Sequence, residues 1–204
     1  MLPSRPITLG YTKHPYSKSN TLSFTLEREC GISQVQTYIP IYDQLFSMNP
    51  KTCGKITLNH PTYITGVCGS LESSSDDDNC SDESEDPILG PGGYSIECCN
   101  LSGGSAKTRK AFIKMAPILS PFMYMTGKSN LDQQHLCTLP QKPNDTCAPI
   151  ETTQPSNSAY VDGFFSYLSG QALMSHGFKH GIEFYGSFLG IKNGLVVDVD
   201  DDID

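Results

Sequence analysis

LGPGGYSIECCNLSGGSAKTRKAFIK, residues 89–114, is the stretch on which the reading of this chain turns. Its order is a glycine turn, a strand, a second turn, then a strand carrying one lysine among apolar neighbours. Gly90, Gly92 and Gly93 follow a proline-containing stretch, where such a cluster is either a plain turn or a place where backbone N–H groups approach phosphate oxygens with no Cβ in the way. At the far end, Lys114 sits within Ala111-Phe112-Ile113-Lys114-Met115. In a strand Phe112 and Lys114 share one face, and Ile113 and Met115 the other. A lysine so placed either escapes to solvent at a sheet edge or points into a cleft where an anion compensates it.

Working outward, residues 55–58 and 63–67 look like two strands joined by Asn59-His60-Pro61-Thr62, with Pro and Asn as turn formers. Upstream, residues 21–26 give a weak strand signal, and residues 38–46 form a short apolar patch expected to dock on the domain. Downstream, Val161, Phe164, Phe165, Leu168 and Ala172 recur at helical spacing and predict one apolar helix face. Asn157 or Ser158 is placed to cap the start of that helix and Gly177 to end it. Asn193-Gly194 between two apolar runs predicts a hairpin, because a type I′ turn needs φ > 0 at both central positions.

Two segments interrupt this order. Residues 70–87, SLESSSDDDNCSDESEDP, hold too little apolar surface to offset the entropy of ordering, so a disordered acidic insert is expected. Ser73, Ser74 and Ser75 each have an Asp three residues on, which suits acidophilic kinases. Residues 128–157, rich in Pro, Gln, Asn and Thr, read as a second long loop.

The charge balance follows from these segments. The net charge of -8 comes from 22 acids against 14 Lys and Arg, but eight acids lie in 72–86 and five more in 198–204. The remaining 9 acids against 14 basic residues leave the body about +5, so the acidity is local and no nucleic acid partner is expected. No apolar run reaches the roughly 18 residues needed to span a bilayer and no signal-peptide h-region is seen, so no membrane partner is expected and an intracellular location is. The eight cysteines are irregularly spaced and read as free thiols.

Other chemistry finds thin support. Gly103-Gly104-Ser105-Ala106-Lys107-Thr108 has the wrong spacing for a Walker loop. His176 and His180 are four apart, but Gly177 interrupts them and no CxxC pair accompanies them, so neither a zinc site nor any other metal residue is assigned. No GxSxG elbow is present. The terminal aspartates, Asp198 to Asp204, lack EF-hand alternation and read as a solvated turn. No catalytic residue is assigned.

The order of glycine turn, strand, lysine strand, helix and hairpin resembles the small lobe of a protein kinase. Residues 89–95 resemble its glycine-rich loop, with Tyr94 at the aromatic position and Ser95 replacing the last glycine; residues 111–114 resemble its lysine strand. The phrases YIPIYDQLFSMNP, LNHPTYI, FIKMAPILSPFMYMTGK, SAYVDGFFSYLSGQALMSHGFKHGIEFYGSFLGIK and VDVDDDID are also similar to a kinase-related family of large nucleocytoplasmic DNA viruses of giant-virus type. The resemblance implies ATP with Mg²⁺ as cofactor, contacts through Gly90, Gly92, Gly93, Tyr94 and Lys114, and Lys114 on the α- and β-phosphates. Two departures stand out: residues 158–175 contain no Glu to pair with the lysine, their only acid being Asp162, and no HRD or DFG occurs in the 204 residues.

The expected architecture is α+β: an antiparallel sheet of roughly five to seven strands, one main packed helix and two long irregular insertions. Residues 1–69 form an N-terminal segment with short strands, 70–87 the acidic insert, and 88–204 the small-lobe-like domain with its loop at 128–157. Two functions are carried forward. One is the N-terminal part of a viral kinase-like protein, nucleotide-binding and catalytically incomplete in this chain, located in host cytoplasm or virion. The other is a non-catalytic viral structural or protein-interaction scaffold that engages partners through the acidic insert. A metal-binding module ranks third.

Overall fold

A computed structural model describes residues 6–13, 20–48, 56–71, 92–129, 131–141 and 148–197. The fold is α+β, and every strand pair among the described residues is antiparallel. In chain order the elements are β1 (Tyr11–Lys13), α1 (Asn20–Cys30), β2 (Ile32–Gln36), a 3₁₀ turn (Pro40–Gln44), β3 (Ile56–Leu58), β4 (Thr62–Ser70), β5 (Gly93–Asn100), β6 (Lys107–Phe112), α2 (Pro121–Met125), α3 (Gln133–Leu136), α4 (Ile150–Thr153), α5 (Ser158–His176) and β7 (Leu189–Lys192). Among the described residues the strands fall into three sheets, β1-β3, β2-β7 and β4-β5-β6, where a single sheet was expected.

The residues expected to form strands around 21–26 are helical. Their apparent alternation loses to a longer pattern, Leu22, Leu26 and Cys30 at i, i+4 and i+8, all buried on one side of α1. Thr25 joins this helix to the sheet: its hydroxyl donates to Leu22 O at 3.1 Å and accepts from Val67 N–H at 3.0 Å. Gly31, at φ 63°, ends α1, and Lys192 Nζ donates to the Cys30 carbonyl at 2.8 Å, placing a cation at the negative end of the helix.

The strands either side of Asn59-His60 form as expected but do not pair with each other. β3 pairs with β1, and β4 pairs with β5. The Asn193-Gly194 turn also forms, with Gly194 at φ 62°, yet it closes no hairpin among the described residues. β7 instead pairs with β2, and residues 195–197 are not strand. The expected 128–157 loop carries α3 and α4. The acidic segment lies outside the described residues apart from Ser70 and Leu71, and so do the terminal aspartates.

Two cores result. One gathers Tyr38, Ile39, Tyr42, Met48, Ile56, Leu58, Tyr160, Tyr167 and Leu189; the expected docking patch at 38–46 belongs to it. The other gathers Leu22, Leu26, Cys30, Ile64, Val67, Ile96, Cys98 and Ala111 between α1 and the three-stranded sheet. Residues 181–188 run as a strap across both: Phe184 packs on the first core, Tyr185 and Phe188 on the second, and Tyr185 O accepts from Ile64 N–H at 3.1 Å.

α5 has the expected caps. Asn157 Oδ1 accepts from Ala159 N–H at 3.0 Å, and Gly177 adopts the left-handed conformation. Its buried side differs from the expected one. Tyr160 and Tyr167 are buried and Phe164 and Leu168 pack on the first core, whereas Val161 is 47% and Phe165 67% exposed.

Candidate functional site

Antiparallel pairing of β5 with β6 brings the start of one strand beside the end of the other, and so brings Gly92 and Gly93 beside Lys114. Gly93 faces Phe112 in the register, and Ile113 N–H donates to Gly92 O at 2.9 Å. Gly92 sits at φ 94°, a backbone conformation that favours glycine, and a Cβ there would lie 2.7 Å from the exposed Phe112 ring, which would have to shift. Gly93 is buried, its carbonyl taken by Leu71 N–H at 2.9 Å. Gly90 lies outside the described residues.

Lys114 stands two residues beyond the end of β6, its side chain 62% exposed, and Nζ pairs with Asp162 Oδ2 at 2.8 Å. Of the two alternatives for this lysine, the solvent-exposed one is seen, with an exposed carboxylate as its partner. That anion comes from the first turns of α5; the Glu that the resemblance calls for is absent from this helix. An exposed pair of this kind contributes about 0–1 kcal/mol, so it orients the ammonium more than it stabilises the fold.

Tyr94 points elsewhere. It packs against the second core, its hydroxyl bonded to the Cys30 thiol, on the inner side of the sheet. Strand alternation explains this: Tyr94, Ile96 and Cys98 share the buried face of β5. Of the five residues assigned from the sequence, the structure therefore clusters Gly92, Gly93 and Lys114 and turns Tyr94 inward.

Two polar clusters were not anticipated. In the first, Asn59 binds the N-terminal segment to α5. Its Oδ1 accepts from Gly10 N–H at 3.0 Å and from the Tyr167 hydroxyl, its Nδ2 donates to Thr8 O at 2.9 Å, and its carbonyl accepts from Gln171 Nε2 at 2.6 Å. Next to it, His60 is 3% exposed and packs edge-on against Phe184 at 4.9 Å. In the second, Arg109 Nη1 donates to both Glu183 carboxylate oxygens at 2.9 Å and to the Tyr185 hydroxyl at 3.3 Å, and that hydroxyl donates to Glu183 Oε2 at 2.9 Å. The Tyr185 bond and the Glu183 charge raise the Arg109 pKa, while burial raises that of Tyr185. This cluster clamps β6 to the 181–188 strap. Only the turn residue Asn59 carried a signal in the sequence; the partners lie far apart in the chain.

No protein-family model matches the chain, and no curated protein or solved structure matches it. Among the described residues no helix is long and apolar enough to cross a membrane, and no group of three or more His, Cys, Asp and Glu is placed to hold a metal ion. The donor set suits a phosphate in one respect, the accessible Lys114 ammonium. It suits Mg²⁺ poorly, since Asp162 is the carboxylate at hand and is already paired with Lys114.

Proposed function

We propose that this chain is the small lobe of a kinase-like protein in which Lys114 contacts a nucleotide phosphate. The observation that supports the reading is the Lys114–Asp162 pair near Gly92: a lysine just past the end of β6, a carboxylate of α5 and a glycine turn lie close in the fold. In this reading α5 sets the lysine's position through Asp162, and a phosphate would compete with that carboxylate for the ammonium. Gly92 serves to let the turn pass close under Phe112. ATP is the ligand proposed, and no phosphoryl-transfer step is assigned to these residues.

Thermal denaturation of the purified 204-residue chain with ATP, with and without Mg²⁺, tests it. A ligand at 100 times its Kd adds about 2.7 kcal/mol, and each kcal/mol moves the midpoint of a domain this size by roughly 2–4 °C. Lys114→Met is expected to remove the shift and leave the unliganded midpoint within a degree or two. A shift that survives in Lys114→Met overturns the phosphate contact at Lys114.

A second reading, a non-catalytic interaction scaffold, rests on a different observation. Phe122, Met123, Tyr124 and Met125 of α2 are 43–55% exposed, and α5 exposes Val161, Phe165 and Met174. Large apolar side chains gathered outward mark partner surfaces. The acidic segment would then add a solvated docking tail. Absence of any nucleotide shift in the wild-type chain favours this reading. Cross-links to native partners should then concentrate on α2 and α5, and a uniform scatter of cross-links would count against it.

A further inference from the structure

Where β3, the turn carrying His60 and the 181–188 strap meet, they form a cavity of about 10 Å³, lined in part by Thr37, Thr57, His60, Phe184 and Ser187. Thr57 is 6% exposed, and its Oγ1 finds no hydrogen-bond partner in the protein. A hydroxyl sealed off in this way is costly unless something inside the seal supplies the bond. The cavity is about the size that admits one water, and a buried water needs two to four polar partners. These are at hand. Besides the Thr57 hydroxyl and the His60 ring, Thr37 Oγ1 accepts from Ile56 N–H at 3.2 Å and keeps its own proton to donate, and Ser187 also lines the cavity. Tyr42, Ile56, Leu58 and Phe188 complete its largely apolar lining.

We infer that this cavity is a specific binding site for a single water molecule, which bridges the Thr57 hydroxyl to the His60 ring and couples β3 to the strap. The water is a structural ligand of the first core. It holds the strap that carries Glu183 and Tyr185 to their clamp with Arg109, so its effect reaches the β6 edge. The inference stands on the cavity and the orphan hydroxyl and is independent of any nucleotide contact at Lys114.

The test pairs two measurements. A crystal structure of the wild-type chain at high resolution is expected to show one ordered water within hydrogen-bond distance of Thr57 Oγ1; a dry cavity overturns the inference. Thr57→Val removes the hydroxyl while keeping shape and strand preference. If the water is bound, its melting midpoint falls by a few degrees and Thr57→Ser retains most of the wild-type value. If the hydroxyl is truly orphaned, removing it relieves a buried polar group, and an unchanged or raised midpoint in Thr57→Val overturns the inference.

Discussion

Asn59 uses every hydrogen-bonding group it has. Besides the bonds to Gly10, Tyr167, Thr8 and Gln171, its own N–H donates to the Gly10 carbonyl at 2.9 Å. Three segments of chain, the N-terminal strand, the β3–β4 turn and α5, are thus fixed to one short side chain. Truncation to alanine takes the Oδ1 acceptor away from the buried Tyr167 hydroxyl, whose pKa burial raises, and leaves the Gly10 N–H only its long 3.5 Å bond to that hydroxyl. A group left unsatisfied costs about 1–3 kcal/mol. Asn59→Ala is therefore expected to lose about 2–3 kcal/mol in urea denaturation, with the slope against urea unchanged. A loss under about 0.5 kcal/mol would show that water replaces these bonds at no cost. By contrast Lys114 and Asp162, both well exposed, hold a position and little stability. The residue that most nearly resembles a functional one is thus among those that matter least to the fold.

At the scale of elements, α5 was legible in the sequence and α1 was not, for one physical reason. The signals that bound α5 are local: Asn157 bonds a backbone two residues on, and Gly177 answers the helix's own last carbonyls. α1 shows its helical pattern only when Leu22, Leu26 and Cys30 are counted together, and their shared burial depends on β4 and β5 arriving from elsewhere. The Asn193-Gly194 turn was legible as a turn, but its preceding strand found β2, more than 150 residues away in the chain, as its partner. The candidate site divides likewise. Gly92, Gly93 and Lys114 came together through a local hairpin, while Asp162 and the inward turn of Tyr94 came from non-local packing. The close approach of the strap to α5 is a further non-local feature with a testable cost. A Cβ on Gly181 would lie 2.6 Å from Ser169 O and 2.8 Å from Leu173 Cβ, one a backbone atom and the other fixed to the helix. Gly181→Ala must push strap and helix apart and is expected to cost about 1–3 kcal/mol. Gly177→Ala, in open space at φ 64°, should cost only the left-handed penalty of about 1–2 kcal/mol. Equal midpoints for wild type and Gly181→Ala would contradict the close packing.

For the whole molecule, the groups buried in both cores set a limit on alkaline stability. Burial pushes the Cys98 thiol up to about 11 from an ordinary 9.0, and raises Cys30 as well. In the first core, burial raises the phenols of Tyr42, Tyr160 and Tyr167. A thiol or phenol is neutral when protonated, so a raised folded pKa means the folded state holds the proton more tightly than the unfolded chain. That contribution to stability is complete below the unfolded pKa and is lost as pH rises through the folded one. Cys98 alone defines a window from about pH 9 to about pH 11, over which about 3 kcal/mol disappears at 1.36 kcal/mol per unit. The tyrosines extend the loss upward in pH. Stability measured by urea denaturation is thus expected to be level up to about pH 9 and to fall steeply above it. Cys98→Ala starts from a lower plateau, having lost packing beside Ile64 and Ile96, but its decline between pH 9 and 11 should be visibly shallower. Parallel declines in the two proteins would mean that Cys98 keeps an ordinary thiol pKa, and that the second core admits water at its sheet face.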